Sequence, residues 1–130
     1  MPGGARANGL ERAIQRVLPR VVKLYGAGTG LEAGFGSGIL VSADGLVLTV
    51  YSLLIEGHNV RAIDAKGRSY AVRIVSVDPD RQLALLRLRV PEGDPSPTFP
   101  YFDLRGDVPL QPGDWVLAAG NAFKVAHGSE

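Results

Sequence analysis

At 130 residues the chain has the length of one domain, enough to bury roughly two-thirds of its unfolded surface. Hydrophobic residues make up 45% and charged residues 21%, which excludes a disordered chain, and 14 basic against 13 acidic residues give a net charge of +1, which speaks against nucleic acid as a partner. Cysteine is absent, so neither disulfides nor thiolate metal sites are available, and no apolar run approaches the roughly 20 residues of a membrane span.

In chain order, residues 1–7 are expected to be a loose end. Asn8 offers a side-chain cap with Glu11 in capping-box position. Leu10, Ile14, Val17 and Leu18 then form one apolar stripe, which predicts a short helix over 9–18 that stops before Pro19. From there the period becomes extended. Strands are predicted at 20–25, 35–42, 45–51, 59–65, 69–77, 83–90 and 114–120. Asp44-Gly45 and Lys66-Gly67 are hairpin-type turns in which glycine accepts positive φ, and Asp78-Pro79-Asp80 opens another turn. Within 83–90, Ala84, Leu86, Leu88 and Val90 share the wholly apolar, core-facing side. Pro91 to Pro100 carries four prolines in ten residues and reads as a surface loop. The eleven arginines, spread from Arg6 to Arg105, are read as solvated surface charge. Short strands at this spacing with almost no helix predict an all-β sandwich or barrel.

Three segments carry a family resemblance. Gly34-Phe35-Gly36-Ser37-Gly38-Ile39-Leu40-Val41, followed by Asp44-Gly45-Leu46-Val47-Leu48-Thr49, resembles the Gly-Ser-Gly strand, turn and second strand of trypsin-like serine proteases of the HtrA (Deg) kind. Asp78-Pro79-Asp80-Arg81-Gln82-Leu83-Ala84-Leu85-Leu86 is similar to the family's Asp-Leu-Ala-Leu-Leu segment. Gly113-Asp114-Trp115-Val116-Leu117-Ala118-Ala119-Gly120-Asn121-Ala122-Phe123 is similar to the stretch taken to close the family's first barrel. The resemblance implies a six-stranded Greek-key barrel, the first of two. It divides the chain into a loose 1–7, a barrel over 8–125 with its leading helix, and the start of an inter-barrel linker at 126–130.

The same resemblance locates two departures. Ser52 stands where the family has its catalytic histidine, Gln82 stands at the catalytic aspartate, and no segment before Glu130 resembles the Gly-Asn-Ser-Gly-Gly nucleophile loop. A serine nucleophile needs an imidazole to take its proton. A hydroxyl at position 52 is not basic enough, and a neutral amide at position 82 could not stabilise an imidazolium. The chain is therefore expected to be non-catalytic, with Ser52 and Gln82 as degenerate triad positions. Of the two histidines, His58 reads as an exposed turn residue and His127 as part of the tail.

Other patterns carry little. Gly28-Thr29-Gly30-Leu31-Glu32-Ala33 matches a dinucleotide fingerprint but leads into a strand, so no helix N-terminus awaits a pyrophosphate. Ser37 lies between glycines but has Phe35 and Ile39 where a Gly-x-Ser-x-Gly nucleophile elbow has its own, and Asp78 and Asp80 lack the further ligands of a calcium loop. Trp115 and Phe123 are expected to fill the core. No cofactor and no metal are expected. Two functions follow: a binding or scaffolding module, alone or as the front of a larger pseudoprotease, and a supporting half of an active serine endopeptidase whose catalytic residues lie elsewhere. The expected partner is a polypeptide or a second protease-like barrel, with self-association of the isolated chain through an exposed apolar face. The resemblance points to a bacterial cell envelope or periplasm.

Overall fold

The computed structural model describes residues 2–27, 33–52, 55, 59–93, 95 and 97–120. A helix α1 (Pro2–Val17) passes through one 3-10 turn (Leu18–Arg20) into six strands: β1 (Val21–Ala27), β2 (Ala33–Leu40), β3 (Leu46–Val50), β4 (Arg61–Ile63), β5 (Ser69–Asp78) and β6 (Leu83–Arg89). They form a closed antiparallel barrel in the order β1-β2-β3-β6-β5-β4. β4 pairs with β5 on one side and with β1 on the other, and so closes the ring. The expected all-β barrel is thus observed.

Alternation places the core. Val22, Leu24, Leu40, Val47, Ala62, Tyr70, Ala84, Leu86 and Leu88 turn inward, joined by Ile55 and Phe99 from connecting segments. Each large side chain removed from water in this way contributes about 1.5–3 kcal/mol. Ala84, Leu86 and Leu88 occupy the face predicted for them, and Val90 lies half-buried beyond the end of β6. Gly38 is required by packing, since a Cβ there would come within 2.5 Å of the Val47 side chain.

Both predicted hairpin turns form, with Gly45 at φ 101° and Gly67 at φ 81°. Asp44 anchors the first turn. The Ser42 hydroxyl donates to its carboxylate, Arg87 Nη1 donates to the other oxygen at 2.8 Å, and together these hold its carboxyl below the ordinary range. Asp64 anchors the second. It is buried, and its Oδ1 accepts from the backbone N–H of Lys66 and of Arg68, each at 2.9 Å. Its Oδ2 accepts from Arg68 Nε at 3.1 Å and from the Tyr70 hydroxyl at 3.4 Å. Burial, with Asp64 beside it, pushes the Tyr70 hydroxyl up.

Four sequence expectations are corrected. The helix begins at Pro2 rather than at residue 9, so it occupies most of the stretch expected to be loose, and Asn8 and Glu11 lie inside it rather than at a cap. Proline at a first helical position gives up no intrahelical hydrogen bond, which suits the earlier start. Of the apolar stripe, Leu10, Ile14 and Leu18 are exposed and Val17 is half-buried. The proline-rich loop is exposed at Pro91, Glu92, Gly93, Pro95, Thr98 and Pro100, as expected, but not along its whole length. It returns Phe99 to the core, where its N–H donates to the Ala43 carbonyl at 2.9 Å and its ring meets Tyr70 edge-on at 5.6 Å.

The fourth correction concerns 114–120, which forms no strand; the barrel closes without it. Trp115, expected in the core, is 91% exposed. A ring already closed by β4 and β1 has no edge left to pair with a seventh segment. Phe123, with the rest of 121–130, lies outside the described residues, as do His58, His127 and the glycines of 28–30.

Candidate functional site

The two positions singled out by the sequence lie at the same end of the β3–β6 ladder. Val50, the last residue of β3, pairs with Leu83, the first of β6. One residue further out, the Tyr51 N–H donates to the Gln82 carbonyl at 2.9 Å. Ser52 follows directly on Tyr51, so the pairing carries Ser52 and Gln82 to neighbouring strand ends although thirty positions separate them in sequence.

Each is set by its own turn. The Ser52 carbonyl accepts from the Ile55 N–H at 3.0 Å, and Ile55 drops its side chain into the core, which pins the chain just after β3. Gln82 closes the turn from Asp78: its N–H donates to the Pro79 carbonyl at 3.2 Å, and its φ is +57°. Left-handed backbone is uncommon for a side chain of this kind. Asp78 holds the turn by accepting from the Arg81 N–H at 3.2 Å and from Arg81 Nη1 at 2.9 Å, and this guanidinium lowers its pKa. Both Ser52 and Gln82 are exposed.

Chemically, the pair offers a hydroxyl and a carboxamide, both neutral near pH 7. Neither is a base for a serine nucleophile, and neither carries charge to stabilise a cation. Among the described residues no three His, Cys, Asp or Glu side chains gather as metal ligands would. Ser37 lies elsewhere, half-buried on β2, with its carbonyl accepting from Thr49 Oγ1 at 2.7 Å.

A separate concavity of about 810 Å³ lies over the outer face of β1, between α1, the Asp64–Gly67 turn and residues 117–120. Ile14, Val17, Leu18, Val21 and Leu117 make it mainly apolar, and neither Ser52 nor Gln82 reaches it. The sequence reading missed this groove, because its walls come from both ends of the chain. It missed Asp64 as well, although aspartate three residues before glycine is a turn signal that could have been used.

A closed six-stranded antiparallel Greek-key barrel is the architecture of the trypsin-like fold. The family model described as a trypsin-like peptidase domain matches residues 36–129, and the chain belongs to that family. The chain is 32% identical over 89 residues to a probable periplasmic serine endoprotease, DegP-like, of Bartonella henselae, covering 68% of this chain and 17% of that protein. It is 30% identical over 95 residues to the serine protease HTRA1 of Xenopus laevis, covering 73% of this chain and 20% of that one. Among solved structures, the serine endoprotease from Yersinia pestis superposes with a TM-score of 0.58 at 24% identity, over 70% of this chain and 31% of that one, a likeness of fold. The chain thus spans between 17% and 20% of the length of these two curated relatives.

Proposed function

We propose that this chain is the first barrel of a non-catalytic HtrA/Deg-like protease homologue, acting as a binding or scaffolding module or as the front part of a larger pseudoprotease. The observation that carries this reading is the placement of Ser52 and Gln82 at neighbouring strand ends, set by the Val50–Leu83 pair and the Tyr51–Gln82 backbone bond. A catalytic pair at these positions must supply a base and a carboxylate, and a hydroxyl and an amide supply neither. The partner is a polypeptide or a second protease-like barrel. Uncovered apolar side chains at Val50 and Leu83, and at Val108, Leu110, Trp115 and Val116, support such a partner and self-association of the isolated chain. The bacterial relatives are probable periplasmic endoproteases, which supports a cell-envelope setting for this protein.

The test uses the full-length protein with a fluorophosphonate probe and casein as substrate. The expected outcome is no serine labelling and no cleavage for the natural sequence. Labelling with cleavage would replace this reading with that of a supporting half of an active endopeptidase. Where the parent carries a serine in a second barrel, Ser52→His/Gln82→Asp is expected to restore labelling.

A further inference from the structure

We propose that the outer face of β5 and β6 is a docking surface for an acidic, extended polypeptide segment, gripped by Arg61, Arg73, Arg87 and Arg89. The sequence scatters these arginines, and strand register gathers them. Arg61 pairs with Ala71, and Ala71 pairs with Arg89, so two guanidinium-bearing residues share one row across β4, β5 and β6. In the next row on the same face Arg73 stands directly opposite Arg87. Ala62, Tyr70, Leu86 and Leu88 face the core, so these alternate positions face outward. Arg61, Arg73 and Arg89 are exposed and Arg87 is half-buried.

Like charges placed directly opposite on a sheet destabilise it. Here the cost is only partly offset. Asp44 engages Arg87 at 2.8 Å from the edge of the patch, and Arg61 Nε donates to the neutral Ser69 hydroxyl at 2.9 Å. Among the described residues no carboxylate forms an ion pair with Arg61, Arg73 or Arg89. The Asp44–Arg87 contact is an instance of the chemistry proposed, a carboxylate oxygen on a guanidinium nitrogen.

The spacing favours an extended chain. Side chains at alternate residues of a strand lie about 6.5–7 Å apart, which is the step from Arg87 to Arg89 and equally the step between carboxylates at alternate residues of a bound extended segment. A planar fork meets each carboxylate bidentately, which an ammonium would not do. Nucleic acid suits the face less well. Ser69, Ala71, Ser76, Asp78, Leu83 and Leu85 are the other outward paired positions of β5 and β6, none of them aromatic; Tyr25 stands opposite Arg61 at the margin of the patch, and a net charge of +1 supplies no long-range field. None of this depends on Ser52 or Gln82, so the proposal stands or falls separately from the non-catalytic reading.

Fluorescence anisotropy on the whole chain, with a fluorescein-labelled peptide of alternating Glu and Thr, provides the test. Saturable binding that weakens as salt rises is expected. Arg73→Glu/Arg89→Glu is expected to weaken it by roughly tenfold or more while raising Tm, because a carboxylate at position 73 would face Arg87. Arg73→Gln/Arg89→Gln, which only removes charge, is expected to weaken it several-fold and serves if the reversal does not fold. Unchanged affinity in the Gln pair overturns the proposal. So does equal binding of a peptide with its glutamates gathered in one block, or tighter binding of a thymidine oligonucleotide.

Discussion

Leu86 and Trp115 sit in equally apolar stretches, Leu83-Ala84-Leu85-Leu86 and Trp115-Val116-Leu117-Ala118, yet Leu86 is wholly buried and Trp115 is 91% exposed. The first stretch lies between β3 and β5, with backbone partners on both sides. The second has no ladder partner in a barrel that is already closed. Apolar composition supplies the drive to leave water, but in a β protein the neighbouring strands determine whether a segment has anywhere to go.

The contrast can be tested by substitution. Leu86→Ala leaves a cavity among Val47, Tyr70 and Leu88 and is expected to cost about 2–5 kcal/mol by urea denaturation. Asp64→Ala strips the Lys66 and Arg68 N–H groups and the Tyr70 hydroxyl of their acceptor and is expected to cost about 1–3 kcal/mol.

Acid sharpens the comparison further. Asp44, on a barrel turn, and Asp103, in the segment after the barrel, both have lowered pKa values, Asp103 to about 2 through the Arg105 guanidinium. A depressed folded-state value gives stability that is full above the ordinary value and is lost as pH falls through the folded one. For Asp103 that window runs from 3.8 down to about 2. The Asp103–Arg105 contact joins residues two apart and can persist in an unfolded chain, whereas Asp44–Arg87 needs the barrel. Asp44→Asn is therefore expected to flatten the acid limb of global stability measured by denaturation across pH. Asp103→Asn should leave it unchanged despite its larger shift. Smallest of all, Trp115→Ala is expected to change the midpoint by no more than about 0.5 kcal/mol. A larger loss would mean that the segment is packed in solution.

Strand positions and both glycine turns were legible in the sequence because each rests on local chemistry: alternation for Ala84, Leu86 and Leu88, and positive φ for Gly45 and Gly67. The Ser52 and Gln82 positions came from motif order, and the β3–β6 register then explains why residues so far apart form one end of the ladder. What was illegible depends on closure. Nothing local distinguishes 114–120 from a strand, and nothing marks Phe99 as the residue that, among those described in the proline-rich loop, returns to the core. Arginines read as scattered form a patch only once Arg73 is known to face Arg87.

The ring is joined by its shortest member. β4 contributes three residues, and the same three, Arg61, Ala62 and Ile63, pair with β1 on one side and with β5 on the other. β5 and β6, by contrast, are matched along most of their length. β2 and β3 are joined over three pairs as well, but β4 alone is held by such short ladders on both sides, so the cylinder breathes there first. Amide exchange should therefore be fastest, among barrel strands, along β4, and slowest where β6 lies between β3 and β5. Release of β4 from both neighbours would convert the cylinder into a curved open sheet and offer β1 and β5 new edges without dismantling the β3–β6–β5 core.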